Sequence, residues 1–219
     1  MISFSNVFVK YTKEFYALSN INFEADKGEI VALIGPKDSG KTCMLRLLAG
    51  LEKQDRGEVY IKNIPLDKVD YSVDVSVGYI PYKASFLDKK SVYDNLKYIL
   101  EVRKTDKSLL EEKINQAIID FKLESIAQEK VYKLSLYEKY LVSVARLSFR
   151  NQLDLVLIDN IFEELSPNET KELIKLFKKY FAKSNTLLVI ATSDEQIANS
   201  IATKKVFLKY GTIDKVENN

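Results

Sequence analysis

The chain has 219 residues, 46% hydrophobic and 29% charged, with a formal net charge of +2, a balance that excludes disorder and fits one α/β core with a smaller subdomain. Histidine is absent and Cys43 is the sole cysteine, which excludes intrachain disulfides, zinc knuckles and imidazole chemistry. Lysine pairs such as Lys89-Lys90 and Lys204-Lys205 are scattered among acids, and no leader or membrane-length apolar run occurs, so a cytoplasmic protein without a nucleic-acid partner is expected.

Residues 3–9 and 21–25 alternate in hydrophobicity as half-buried strands do, and residues 29–34 form a largely apolar run ending at Gly35, as in a buried parallel strand. A helix is predicted over 41–49, closed by Gly50. Helical spacing then dominates, with Leu109, Leu110, Ile114, Ala117, Ile118 and Phe121 on one stripe, which predicts an inserted helical subdomain at about residues 88–150. Three helix starts carry a capping-box pattern or its aspartate variant: Ser91 with Asp94, Ser108 with Glu111, and Ser135 with Glu138. Residues 155–158 and 186–191 read as buried strands. Between them, Ser166-Pro167-Asn168-Glu169 opens a helix with cap, N1 proline and N3 acid. Residues 206–208 and 212–216 form a hairpin-like pair around Gly211.

The chemistry concentrates in Gly35-Pro36-Lys37-Asp38-Ser39-Gly40-Lys41-Thr42, which matches G-x-x-x-x-G-K-[ST] between a predicted strand and a predicted helix. Glycines let backbone N–H groups turn inward as an anion nest at the positive end of the helix, Lys41 adds a charge for the outer phosphates, and Thr42 offers an oxygen to Mg²⁺. Asp38 stands where glycine is common in such loops; aspartate tolerates left-handed dihedrals but brings negative charge near phosphate. A second Mg²⁺ carboxylate should end another core strand, and Asp159 fits that place.

With these residues in view, the chain resembles the nucleotide-binding domain of ABC transporters nearly from end to end. The resemblance implies an α/β P-loop NTPase (RecA-like) core with an N-terminal antiparallel β subdomain and the inserted helical subdomain, all within one domain spanning 1–219. It also rests on the flanks Lys27-Gly28-Glu29-Ile30-Val31-Ala32-Leu33-Ile34-Gly35 and Leu47-Leu48-Ala49-Gly50-Leu51, and on Gly57-Glu58-Val59 beyond. It implies ATP bound by Gly35, Pro36, Lys37, Asp38, Ser39, Gly40, Lys41, Thr42 and Cys43, with Tyr11 stacked on adenine and Mg²⁺ held by Thr42 and Asp159.

The departures from the family pattern bear on turnover. The Q-loop glutamine falls at Tyr82, the signature Leu-Ser-Gly-Gly-Gln reads Leu134-Ser135-Leu136-Tyr137-Glu138, and the glutamate after the Walker B aspartate is Asn160. The switch histidine is Ser193 and the D-loop aspartate is Ser166. An asparagine accepts no proton at accessible pH, so hydrolysis is expected to be weak or absent and none of Tyr82, Asn160 and Ser193 to be catalytic.

Family dimers are head to tail, so defects in both the loop side and the signature side would affect both shared sites. The resemblance implies membrane-spanning subunits on separate chains, a second nucleotide-binding domain in a homo- or heterodimer, and a peripheral place on the inner face of the cell membrane. The coupling surface would lie at residues 82–87 and the Ser91 helix. The lack of any domain beyond Asn219 favours the transporter class over multi-domain relatives in translation or DNA repair. Two alternatives stand beside this reading: a non-transport ATP-binding sensor or scaffold, and a working ATPase whose base is Glu163 or Asp194.

Overall fold

The computed structural model describes every residue except Lys13, Asn151, Ser184 and Asn219. In chain order the strands are β1 (Ile2–Lys10), β2 (Tyr16–Ala25), β3 (Ile30–Ile34), β4 (Arg56–Ile61), β5 (Ile64–Pro65), β6 (Val77–Ile80), β7 (Leu155–Asp159), β8 (Leu187–Thr192), β9 (Lys204–Lys209) and β10 (Thr212–Asn218). The helices are α1 (Lys41–Leu48), α2 (Val92–Val102), α3 (Lys107–Asp120), α4 (Leu136–Ser148), α5 (Pro167–Tyr180) and α6 (Glu195–Ile201). Among the described residues no helix is long and apolar enough to cross a membrane.

The chain divides into two compact units. The first comprises Met1–Tyr82, Gln152–Glu163 and Lys178–Asn219 and holds both sheets; the second comprises Lys83–Asn151 and Glu164–Phe177 and is helical. In the first unit a six-stranded sheet runs in the order β10-β9-β3-β8-β7-β6. The strands from β9 to β6 are parallel, and β10 pairs antiparallel at the edge. Every residue of β3, β7 and β8 is buried, which explains why these strands are apolar on both faces and show no alternation. The second sheet, β2-β1-β4-β5, is antiparallel, and β1 alternates as a one-faced strand must, burying Ile2, Phe4, Val7 and Val9. Those side chains join Leu33, Leu45, Leu48, Leu157 and Val189 in one hydrophobic core.

In the second unit, α2 and α4 begin with the expected capping boxes, Ser91 with Asp94 and Ser135 with Glu138. The expected box of Ser108 with Glu111 does not form. Asp106 is the cap, accepting from both the N–H and the hydroxyl of Ser108, so the helix opens at Lys107 and the Ser108 hydroxyl is spent as a donor. On α3, Ile114, Ala117 and Ile118 face inward as their spacing requires, whereas Leu109 is exposed.

Candidate nucleotide site

The loop between β3 and α1 is held in a shape that few residues tolerate. Gly40 has φ 104°, and a Cβ there would lie 2.7 Å from Leu18 Cδ2 and 2.8 Å from the Ala17 carbonyl oxygen. A Cβ on Gly35 would drive into the Leu208 carbonyl oxygen. Asp38 takes φ 62°, the left-handed region that aspartate enters at modest cost. The turn between β9 and β10 braces the loop from outside, with Gly211 N–H donating to the Ser39 carbonyl at 3.2 Å.

This geometry leaves the N-terminus of α1 open. Gly40 supplies no capping side chain and the first turn holds no acid, so its amides and the positive end of the helix are available to an anion. Lys41 is only 3% exposed, and its Nζ donates to the carbonyl oxygens of Gly35 and Pro36 at 2.7 Å each and to Ser39 Oγ at 3.3 Å. Burial lowers its pKa, opposed by the charges of Glu163, Asp159 and Asp38, in that order. Beside it, burial pushes the Cys43 thiol up to about 12, so the cysteine stays protonated and unreactive.

The register of the parallel sheet gathers the remaining residues at one end. Ile80 pairs with Ile158 and Asp159 with Ala191, so Tyr82, Asp159 and Ser193 all lie at or just past the C-terminal ends of neighbouring strands. Asp159 is buried, and its Oδ1 accepts from Thr42 Oγ1 at 2.9 Å. Burial raises the pKa of Asp159, while the hydrogen bonds from Thr42 and Tyr79 and the Lys41 charge pull it back down. A hydroxyl and a carboxylate brought together in this way are hard oxygen donors of the kind Mg²⁺ selects, so the residues present fit that ion.

Sequence reasoning missed Tyr79, whose hydroxyl donates to Asp159 Oδ2 at 3.1 Å. Tyr79 pairs with Leu157, two residues before Asp159, so strand alternation puts both side chains on the same face of the sheet. A hydroxyl in the otherwise apolar β6 was the available signal.

Asn160 adopts φ 49°, and its Nδ2 donates to Asp159 Oδ1 at 3.2 Å, while its buried Oδ1 has no hydrogen-bond partner. Ser193 is exposed and donates from Oγ to Glu163 Oε1 at 3.1 Å. Tyr11, at the tip of the β1–β2 hairpin, is 81% exposed and presents an unobstructed ring. Among the described residues, no cluster of three or more histidine, cysteine or acidic side chains could hold a metal by itself.

Within the helical unit, the residues at the signature position fill their own helix end. Ser135 Oγ accepts from Glu138 N–H at 3.2 Å and Ser135 N–H donates to Glu138 Oε2 at 2.7 Å. Tyr137 is half-buried; burial raises its hydroxyl pKa, helped by the charges of Glu172 and Glu169 on α5.

Comparison with known proteins agrees with this geometry. The profile of the ABC transporter family matches residues 18–163. The sulfate/thiosulfate import ATP-binding protein CysA of Halalkalibacterium halodurans is 30% identical over 208 residues, covering 92% of this chain and 57% of that protein. Its counterpart in Mesostigma viride is 28% identical over 203 residues, covering 92% and 58%. The chain thus spans under two thirds of the length of these curated relatives. Among solved structures, the dimer of an ATP-binding cassette in a post-hydrolysis state with ADP and Pi superposes with a TM-score of 0.87 at 25% identity, covering 100% of this chain and 98% of that one. A dimeric bacterial ABC transporter cassette gives 0.83 at 26% identity, covering 100% and 98%. With the family profile matched over two thirds of its length and the cassette fold along all of it, this chain belongs to the ABC transporter family as a nucleotide-binding domain.

Proposed function

We propose that the chain is the ATP-binding subunit of an ABC-type transporter, taking Mg-ATP on residues 35–43 and turning it over slowly. The observation that carries this reading is the open N-terminus of α1 beside the Thr42–Asp159 pair, with Asn160 next in the chain. The α1 amides receive the phosphates, and Lys41 leaves the Gly35 and Pro36 carbonyls for phosphate oxygens, exchanging neutral acceptors for charged ones. Thr42 and Asp159 would hold Mg²⁺, which when bound supplies positive charge to the phosphate oxygens. Tyr79 fixes the second oxygen of Asp159, and the exposed Tyr11 ring stacks on adenine. Turnover is slow because Asn160 can accept a hydrogen bond from water but cannot remove its proton; a positioned general base contributes roughly 10²–10⁴-fold.

The transport role places the chain on the inner face of the cell membrane, held by membrane-spanning subunits on separate chains and paired with a second nucleotide-binding domain. The names of the relatives, which are import ATP-binding proteins, support that role. So does a presentable surface on the helical unit. Arg146 donates to the Ser85 carbonyl at 2.7 Å and lies 5.2 Å from the centre of the Phe86 ring, and Asn95 bonds both backbone groups of Leu87. These contacts fix a loop that leaves Leu87 exposed, along with Tyr98 and Val102 on α2.

Phosphate release by the purified chain, set against Lys41→Ala, tests the chemistry. A Lys41-dependent rate far below the common enzymatic value of about 10 s⁻¹ is expected, and a rate near that value contradicts slow turnover. Affinity purification from gently solubilised membranes tests the transport role: an integral membrane protein should accompany the chain, and its consistent absence argues against a transporter subunit.

A further inference from the structure

Asn160 leaves the water-activating position without a proton acceptor, yet one carboxylate at the same end of the sheet has little other work. Glu163 follows Asn160 by three residues in a turn anchored from below by Ile161 and Phe162, which are 0% and 2% exposed. Its carboxylate is solvent-accessible, and its Oε1 accepts the Ser193 hydroxyl, which ties the turn after β7 to the turn after β8. Its charge reaches both Lys41 and Asp159, and on Lys41 it acts more strongly than Asp159 or Asp38. Two of the other carboxylates nearby are committed. Asp159 is taken up by Thr42 and Tyr79, and Asp194 caps α6 by accepting the N–H groups of Gln196 and Ile197 at 2.7 and 3.3 Å.

We propose that Glu163, held in place by Ser193, is the base for whatever ATP hydrolysis this chain performs; this rests on the reading that Mg-ATP binds at residues 35–43. As the water oxygen bonds to the γ-phosphorus, one of its protons passes to the Glu163 carboxylate. The bond from the γ-phosphorus to the β–γ bridging oxygen breaks, and its electron pair leaves on ADP. Glu163 returns the proton to solvent as phosphate departs. Ser193 is a positioning residue: its hydroxyl holds Oε1 of the Glu163 carboxylate in place.

The test measures phosphate release at saturating Mg-ATP for the wild-type chain, Glu163→Gln, Glu163→Asp, Ser193→Ala and Ser193→Thr, with Mg-ATP affinity by calorimetry on the same samples. Glu163→Gln should lower the rate about tenfold or more while Mg-ATP affinity is retained or rises, because a negative charge acting on Lys41 is removed. Glu163→Asp should retain part of the rate. Ser193→Ala should slow release severalfold, and Ser193→Thr, which keeps the hydroxyl, should restore it. A Glu163→Gln rate equal to wild type overturns the proposal, as does a wild-type chain with no Lys41-dependent release. Failure to bind Mg-ATP at all overturns the nucleotide-site reading together with this one. Binding with release insensitive to Glu163 removes only the base assignment.

Discussion

Two helices of this molecule begin with opposite chemistry. At the start of α1 a glycine in a left-handed conformation offers no side chain, no acid follows, and the amides stand ready for an anion. At the start of α4 Ser135 and Glu138 satisfy each other's backbone donors, a carboxylate already occupies the positive end, and the half-buried Tyr137 fills the space beside it. The resemblance assigns phosphate contact to both ends, one within a chain and one across a dimer. In this chain only the first keeps the features an anion requires. The difference teaches that the macrodipole alone does not make a phosphate site; what matters is whether the terminal amides are left unspent.

The largest effect comes from completing the open end. Asn160→Glu supplies the missing proton acceptor, and phosphate release should rise by roughly 10²–10⁴-fold. In that background Glu163→Gln should cease to matter. An unchanged rate would mean the open end lacks more than a base.

At the closed end, Ser135→Ala removes the side-chain cap of α4 and should cost about 1 kcal/mol of stability in thermal or denaturant unfolding. Calorimetry should find Mg-ATP affinity of the single chain unchanged in the same variant, because the resemblance implies that the α4 end meets nucleotide only across a dimer. Loss of affinity would break the contrast.

A smaller change is expected from Asp38→Gly, which removes a negative charge close enough to act on Lys41. Mg-ATP should bind roughly fivefold more tightly at low salt, the effect of about 1 kcal/mol of partly screened repulsion, and the gain should shrink as salt is added.

The smallest effect belongs to Tyr79→Phe. Burial holds the pKa of Asp159 above the ordinary carboxylate value, and the Tyr79 hydrogen bond favours its charged form. Only that charged form suits Mg²⁺, so Mg-ATP affinity should fall as pH drops through the Asp159 pKa. Removing the hydroxyl raises that pKa further and moves the fall to higher pH. Mg-ATP titrations across the acidic range should detect the shift; a curve that moves to lower pH, or not at all, would remove Tyr79 from the site.

Much of this was legible in the sequence because it is local. A buried strand, a glycine-bearing loop and a helix follow one another from 30 to 48, and the motif spacing marks glycine at 35 and 40, although the approaches that demand it come from Leu208 on β9 and from Ala17 and Leu18 on β2. Asp159 could be placed because an apolar run leads up to it. Tyr79 could not, since its contact with Asp159 depends on the pairing of β6 with β7 across 80 residues. The start of α3 was misread because Asp106 and Ser108 compete for the same role and the carboxylate, the stronger acceptor, takes it. Likewise, nothing in the local pattern separated Glu163 from Asp194 as a base; the helix cap made by Asp194 does so.

The central claim is that the bare start of α1, with Lys41 beside it, grips triphosphate. Calorimetric titration of the purified chain and of Lys41→Ala with Mg-ATP tests it most directly. Saturable binding is expected for the wild-type chain, weakened about 10- to 100-fold in the variant by loss of a charge-assisted hydrogen bond. No binding by the wild-type chain at saturating nucleotide, or equal affinity in both proteins, would contradict it.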